Sequence, residues 1–340
     1  MGAFISLPNI VKTHIETSNA TSTLLDQTRA LEEATPTART RTTQVDIPAW
    51  KDEDFPYELT CKESELYNFL ERNKLIDPKT GKRPNFTFTV ALAYHVGMVN
   101  NWKHIVKDQI ITLKRCGLLG IVDSFLFSYS NGPWSDLFQV LNSLLESDGG
   151  NFTAKIPTNT VEATSKPWEG PAMNMIHQYC NEHVQLQPQN AVVFYIHNKG
   201  ASKWRANWKE AMANNKTWTY GHSLYWRKYL EYFLIERPAL CLDKILLQNA
   251  STCGANWHTS FKYHYSGNFW SAACRQIQRL EPMHAKDSGY TDAEMWLGKN
   301  AELISNQESH VAILHATNEN LYEHAIKPVE YAITGVSNNS

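Results

Sequence analysis

The sequence predicts an α/β fold with a mostly parallel central sheet flanked by helices. Three observations predict it. Runs rich in β-branched and aromatic residues, at 86–95, 124–130 and 191–197, alternate with segments of helical periodicity. That β-α-β-α-β rhythm belongs to parallel strands joined by helical crossovers. Each run is bounded by Gly, Pro or Asn, the residues that punctuate strands and cap helices. Finally, the 340 residues are 42% hydrophobic and 19% charged, enough to bury a sizeable core.

The elements follow in order. The stretch from Ala34 to Thr43 is polar and Thr-rich, with almost no core formers, as linkers are. The expected organisation is therefore a flexible arm over 1–48, one α/β domain over 49–330 and a tail over 331–340. Phe86 to His95 reads as a buried strand, Gly97 ends it, and Asn100 or Asn101 caps a helix over 102–116. Gly117 and Gly120 stop that helix. A second strand over 124–130 leads through the turn Asn131-Gly132-Pro133 to a helix capped by Ser135. The segment 148–168, with two prolines and Gly149-Gly150, reads as irregular. A helix over 168–184 precedes the clearest strand, 191–197. Helices are expected over 203–214 and over 223–248, the latter broken at Pro238. Short strands near 253–257 and 261–269, helices over 271–280 and 292–303, and a strand over 311–315 complete the chain.

Lys+Arg 32 against Asp+Glu 34 gives a formal charge of -2, which argues against a broad basic surface and thus against a nucleic-acid partner. No run of 18 apolar residues is present to span a membrane. Cys61, Cys116, Cys180, Cys241, Cys253 and Cys274 are scattered without a CxxC pair, the usage expected of reduced, buried thiols in a cytoplasmic protein. Met1-Gly2-Ala3-Phe4-Ile5-Ser6 fits the acceptor pattern for N-myristoylation, and membrane association, peripheral at most, rests on Gly2. Sequons at Asn19, Asn85, Asn151, Asn215 and Asn249 matter only to a chain in the secretory pathway.

GxGxxG, the P-loop, GxSxG and HExxH are all missing, which lowers the odds of the common dinucleotide, kinase, hydrolase and zinc-protease chemistries. Three positive features remain. His197, Asn198, Lys199 and Gly200 follow the third strand, where open α/β sheets bind ligands. A point charge, a glycine and a helix start at that place suit an anionic group, the alternative being a polar turn. In His264-Tyr265-Ser266-Gly267-Asn268-Phe269-Trp270, three small or polar residues interrupt an aromatic strand. A sugar site uses such a break, and a β-bulge at Gly267 explains it equally. Asp292 and Glu294 open a helix, either as cap and first-turn acid or as one general base. The acidic triplet Asp52-Glu53-Asp54 lies upstream of the first strand and reads as a solvated face. His315, at the end of the last strand, is the one candidate metal ligand.

Taken together and in order, Tyr-Ile-His-Asn-Lys-Gly (195–200), Cys253-Gly254-Ala255-Asn256-Trp257, the 264–270 motif and Asp-Ala-Glu-Met-Trp (292–296) resemble a little-characterised group of glycosyltransferases. Its members look like nucleotide-sugar-dependent GT-A enzymes of algae, protists, large viruses and bacteria. The resemblance spans roughly residues 86 to 300. It implies a GT-A-like sheet, a nucleotide-sugar donor and a glycan or other hydroxyl acceptor. His197, Asn198, Lys199 and Gly200 would then lie near the donor diphosphate. Asn256, Trp257, His264, Ser266, Gly267, Asn268 and Trp270 would line the donor or acceptor pocket. Glu294, and after it Asp292, would be the base, and Lys199, with Arg275 or a metal ion, would meet the leaving diphosphate. Mn²⁺ or Mg²⁺ is the cofactor such enzymes use, through a D-x-D after a central strand. Here that motif has no counterpart, and Ser271 stands where a second Trp is expected. The competing reading is a catalytically degenerate carbohydrate- or nucleotide-binding protein of the same fold. A third is a myristoylated scaffold at a membrane surface.

Overall fold

The computed structural model describes residues 61, 63–80, 88–146, 159–163, 169–183, 190–205, 207–214, 219–259, 262–283, 291–299 and 310–332. The expected arm over 1–48, with Gly2, lies outside the described residues, as does 333–340. Nine strands are described: β1 Thr89–Gly97, β2 Ser124–Ser130, β3 Asn159–Glu162, β4 Ala191–His197, β5 Thr252–Gly254, β6 Trp257–His258, β7 His264–Tyr265, β8 Trp270–Ala273 and β9 Val311–Ile313. Seven form one sheet in the order β3-β2-β1-β4-β8-β5-β9, and β6 and β7 pair separately. The strands from β3 to β4 run parallel, as do β5 and β9, while β8 runs antiparallel to both its neighbours. The mostly parallel α/β architecture is thus as the sequence predicts.

Strands β1, β2 and β4 are near-continuous apolar runs because both of their faces are covered. Val90, Leu92, Tyr94, Val192, Phe194 and Ile196 pack into one core. The alternate residues Ala91, Ala93, Val193 and Tyr195 pack into a second. Among the described residues the helices of nine or more residues are α1 Glu63–Arg72, α2 Trp102–Arg115, α3 Trp134–Glu146, α4 Gly170–Gln178 and α5 Tyr220–Glu231. Apolar residues of α2 and α5 cover the first face, and Ala172, Met173 and Ile176 of α4 cover the second. Beyond α5 a wider turn, Tyr232–Glu236, leads to Pro238 at the first turn of the next helix, where a missing N–H costs nothing.

Gly120 lies inside the short helix Leu118–Ile121 and Ser135 inside α3, so neither stops nor caps a helix as expected, and the structure departs from expectation at four further places. Residues 271–273, expected to open a helix, are strand β8, buried between β4 and β5. Ser-Ala-Ala is compatible with a helix locally, and only the neighbouring strands decide otherwise. Asn159–Glu162, within the stretch read as irregular, is a four-residue edge strand with one apolar residue, Val161. Asn101 occupies the cap position of α2 without a side-chain cap bond; its Nδ2 donates instead to Tyr220 Oη at 2.9 Å.

The cysteines are the fourth. Expected as separate thiols, all six are paired, as Cys61–Cys116, Cys180–Cys274 and Cys241–Cys253. Their separations of 55, 94 and 12 residues leave no local signature. Closing loops of these lengths stabilises the folded chain by about 3–5 kcal/mol each if unfolded-state entropy dominates. Paired cysteines persist mainly in oxidising compartments, so the cytoplasmic expectation loses its argument from free thiols. Among the described residues no helix is long and apolar enough to cross a membrane.

Candidate functional site

Register builds the floor of the site. Ser128 of β2, His95 of β1 and His197 of β4 stand side by side at the carboxyl ends of three parallel strands. This is where open α/β sheets place ligands. His95 Nδ1 lies 2.7 Å from Ser128 Oγ. Burial lowers its pKa to about 4, against the smaller opposing pull of the Glu169 charge, so the ring is neutral at pH 7.

Glu169 roofs this row. It immediately precedes Gly170-Pro171 at the start of α4, where the helix dipole favours a carboxylate. Its Oε2 accepts from Tyr195 Oη at 2.8 Å and from Asn268 Nδ2 at 2.5 Å. Burial opposes ionisation, but the two histidines and these two hydrogen bonds outweigh it and hold Glu169 below the usual carboxylate range. Burial lowers the His197 pKa as well, against the smaller opposing pull of the Glu169 charge.

The break in the aromatic motif is a turn that reaches into the site. Gly267 has φ +88° and Asn268 φ +55°. A Cβ on Gly267 would lie 2.6 Å from Leu230 Cδ1 and 2.9 Å from Trp226 Nε1, so both the backbone and the space demand glycine. The Gly267 carbonyl meets His197 Nε2 at 2.9 Å, and its N–H donates to Glu294 Oε1 at 2.6 Å. Asn268 is fixed from its other side by Trp270 Nε1, which donates to Asn268 Oδ1 at 2.9 Å.

Lys199 stands two residues beyond His197. Its Nζ lies 3.7 Å from the centroid of the buried Trp226 ring and makes no hydrogen bond among the described residues. Burial lowers the Lys199 pKa, and the Glu294 and Glu169 charges partly restore it. The loop that carries it is clamped from beneath. Asn198 bridges the N–H and C=O of Gly97, both at 2.8 Å. Gln109 Nε2 donates to the His197 carbonyl at 3.1 Å, and Arg227 Nη1 to the Lys199 carbonyl at 3.0 Å. Gly200, at φ +89°, lets the chain turn where a Cβ would come within 2.8 Å of Ser223 Cβ.

Of the residues singled out from sequence, His197, Lys199, Gly267, Asn268 and Glu294 come together here, and Asn198 and Gly200 shape the backbone beneath them. Trp270 supports the group through Asn268 and through Tyr195, ring centroids 5.2 Å apart. The others make contacts of their own. Asn256, at φ +58°, accepts from Ser266 N–H and Thr317 N–H and donates to the His315 carbonyl, holding loops together. Trp257 packs on Tyr265 at 4.7 Å, and His264 stacks on His258 at 5.3 Å. Arg275 donates to the Asn249 and Ala250 carbonyls. It follows β8, and because β8 runs against β4 that end of the strand lies at the opposite edge of the sheet from Lys199. Thr291, and not Asp292, takes the cap position of the short helix Asp292–Met295. The residues missed are Glu169, His95 and Ser128. Their signals were present, as an acid directly before a Gly-Pro helix start and as polar residues closing strands.

The described residues do not assemble a divalent-ion site. Glu169 Oε2 already holds two donors and Glu294 Oε1 holds an N–H, and Lys199 is close enough for both charges to act on it. His315 Nδ1 lies 2.9 Å from Tyr229 Oη and its ring stacks on Phe233. Among the described residues no group of three or more His, Cys, Asp or Glu could hold a metal.

No curated protein matches the chain. A family model described as a domain of unknown function, DUF8361, matches residues 142–312, half of the chain. The match takes in Glu169, His197, Lys199, the Gly267 turn and Glu294, and leaves out His95 and Ser128. The chain therefore belongs to the family defined by the domain of unknown function DUF8361.

Proposed function

We propose that the protein is a glycosyltransferase that moves a sugar from a nucleotide-sugar donor to a hydroxyl acceptor, on a GT-A-like frame. The observation that carries the reading is Lys199. Its ammonium stands at the carboxyl end of a central parallel strand, over an aromatic face, with its hydrogen-bonding capacity unspent among the described residues. That is a seat for an anion such as the diphosphate of a donor. The ordered motifs and the mostly parallel sheet with one reversed strand support the same frame.

The geometry supports a role for each group. Glu294 Oε1 is held by the Gly267 N–H, which leaves Oε2 to accept the proton of an acceptor hydroxyl. As that proton leaves, the acceptor oxygen forms its bond to the anomeric carbon. The bond from that carbon to the diphosphate oxygen breaks, and its electron pair departs with the diphosphate. Lys199 meets the charge that develops there, where a preorganised cation lowers the barrier most.

Thermal unfolding with UDP, GDP, CMP and their sugar conjugates, each with Mn²⁺ and with EDTA, tests the donor site. A ligand at about 100 times its Kd adds about 2.7 kcal/mol. For a chain of this size that is a rise of several degrees, at about 2–4 °C per kcal/mol. A rise with one nucleotide and its conjugates is expected, and no rise with any of them overturns the reading.

A further inference from the structure

We propose that Glu169 and His197 form a hydroxyl-reading subsite for the group that is transferred, an inference that rests on the glycosyl-transfer reading above. A carbonyl cannot donate, so His197 Nε2, 2.9 Å from the Gly267 oxygen, carries the ring proton. In the neutral ring Nδ1 then offers only a lone pair, and it faces Glu169 Oε1 at 3.6 Å. Both donors that reach Glu169 go to Oε2, which leaves Oε1 without a hydrogen bond among the described residues. Two acceptors thus converge with no protein donor between them. Both side chains remain partly open, at 13% and 27% exposure, so a ligand can reach the pair.

An unmet pair of acceptors is costly in a partly desolvated site and is relieved by a donor placed between them. A hydroxyl fits. Its single proton can be shared in a three-centre bond, because acceptors 3.6 Å apart both lie about 2.7–3.0 Å from one oxygen placed between them. The same strand end carries Lys199 two residues on, so a group joined to a diphosphate on that ammonium presents its hydroxyls here. Tyr195 and Asn268 act as positioning residues, since they fix which Glu169 oxygen is left open. The ligand class is a sugar with a free hydroxyl near its anomeric carbon. A sugar without that hydroxyl leaves the acceptors unpaired and is rejected.

Two measurements on the full chain test this. In ¹⁵N-histidine NMR at pH 7, with His197 assigned from the His197→Gln spectrum, the Nε2–H neutral tautomer is expected. An imidazolium there overturns the proposal, because its own proton would fill the gap. The second compares binding of a bare nucleoside diphosphate with that of its sugar conjugate (UDP with UDP-glucose, GDP with GDP-mannose) in the wild type, Glu169→Ala and the volume-conserving Glu169→Gln. Removing the Glu169 charge near Lys199 acts on both ligands alike, so the readout is their ratio: relative to the bare diphosphate, the conjugate should lose about 10-fold or more in both variants, the loss of a hydrogen bond to a charged group. A ratio unchanged in the variants overturns the subsite and leaves Lys199 as the diphosphate seat. A wild type that binds neither member of either pair overturns the glycosyl-transfer reading, and the sugar assignment with it.

Discussion

Replacing Lys199 by Ala should lower kcat by about 10²-fold or more, the loss seen when one preorganised partner of a developing negative charge is removed. The charge on the diphosphate grows as the bond to the sugar breaks, so the ammonium does more for the transition state than for the bound donor. KM should therefore move less than kcat. Arginine at 199 is a poor substitute, because a planar fork replaces a compact cation seated 3.7 Å over Trp226. Steady-state kinetics on Lys199→Ala provides the check, and an unchanged kcat removes Lys199 from the mechanism. The fold should survive, since Nζ makes no hydrogen bond among the described residues.

The second large effect is on stability, and it arises beneath the site. Glu231 is fully buried; it accepts from Gln109 Nε2 at 2.8 Å and forms ion pairs with Lys228 Nζ at 3.1 Å and Arg227 Nε at 3.3 Å. Lys228 also meets Asp108 at 2.6 Å. Burial disfavours the Lys228 ammonium, yet the Glu231 and Asp108 carboxylates outweigh it and hold that amine charged. Glu231→Ala removes the shared partner and leaves Arg227 in the interior without the carboxylate it is paired with, at a cost of about 3–5 kcal/mol. The melting temperature should fall by on the order of 10 °C. Gln109 and Arg227 hold the His197 and Lys199 carbonyls, so the same change loosens the loop that presents the ammonium. A thermal shift below about 2 °C, less than 1 kcal/mol, would show that the network is not holding the fold.

What could be read from sequence follows from how locally each feature is determined. Strands β1, β2 and β4 announce themselves because burial on both faces demands uninterrupted apolar residues. Gly267 and Lys199 stand out because they break the apolar pattern at strand ends, although a bulge and a polar turn explain the same residues. Strand β8 was hidden, since Ser-Ala-Ala becomes a strand only between β4 and β5. Its reversed direction was hidden too, and that reversal carries Arg275 away from Lys199. Glu169 depends on Tyr195 and Asn268, 26 and 99 residues away, and nothing local ties it to them. The cysteine pairs were silent for the same reason, the longest spanning 94 residues.

The measurement that tests sugar transfer most directly is the fate of the donor itself. The wild-type protein, its disulfides intact, is incubated with each nucleotide-sugar that stabilises it and a panel of hydroxyl acceptors. Released nucleoside diphosphate and glycosylated acceptor are then quantified together. The account predicts that both appear in equal amounts and that Glu294→Gln suppresses both. A donor that binds tightly and is recovered intact with every acceptor would contradict it, and would leave a protein that binds nucleotide-sugars without transferring them.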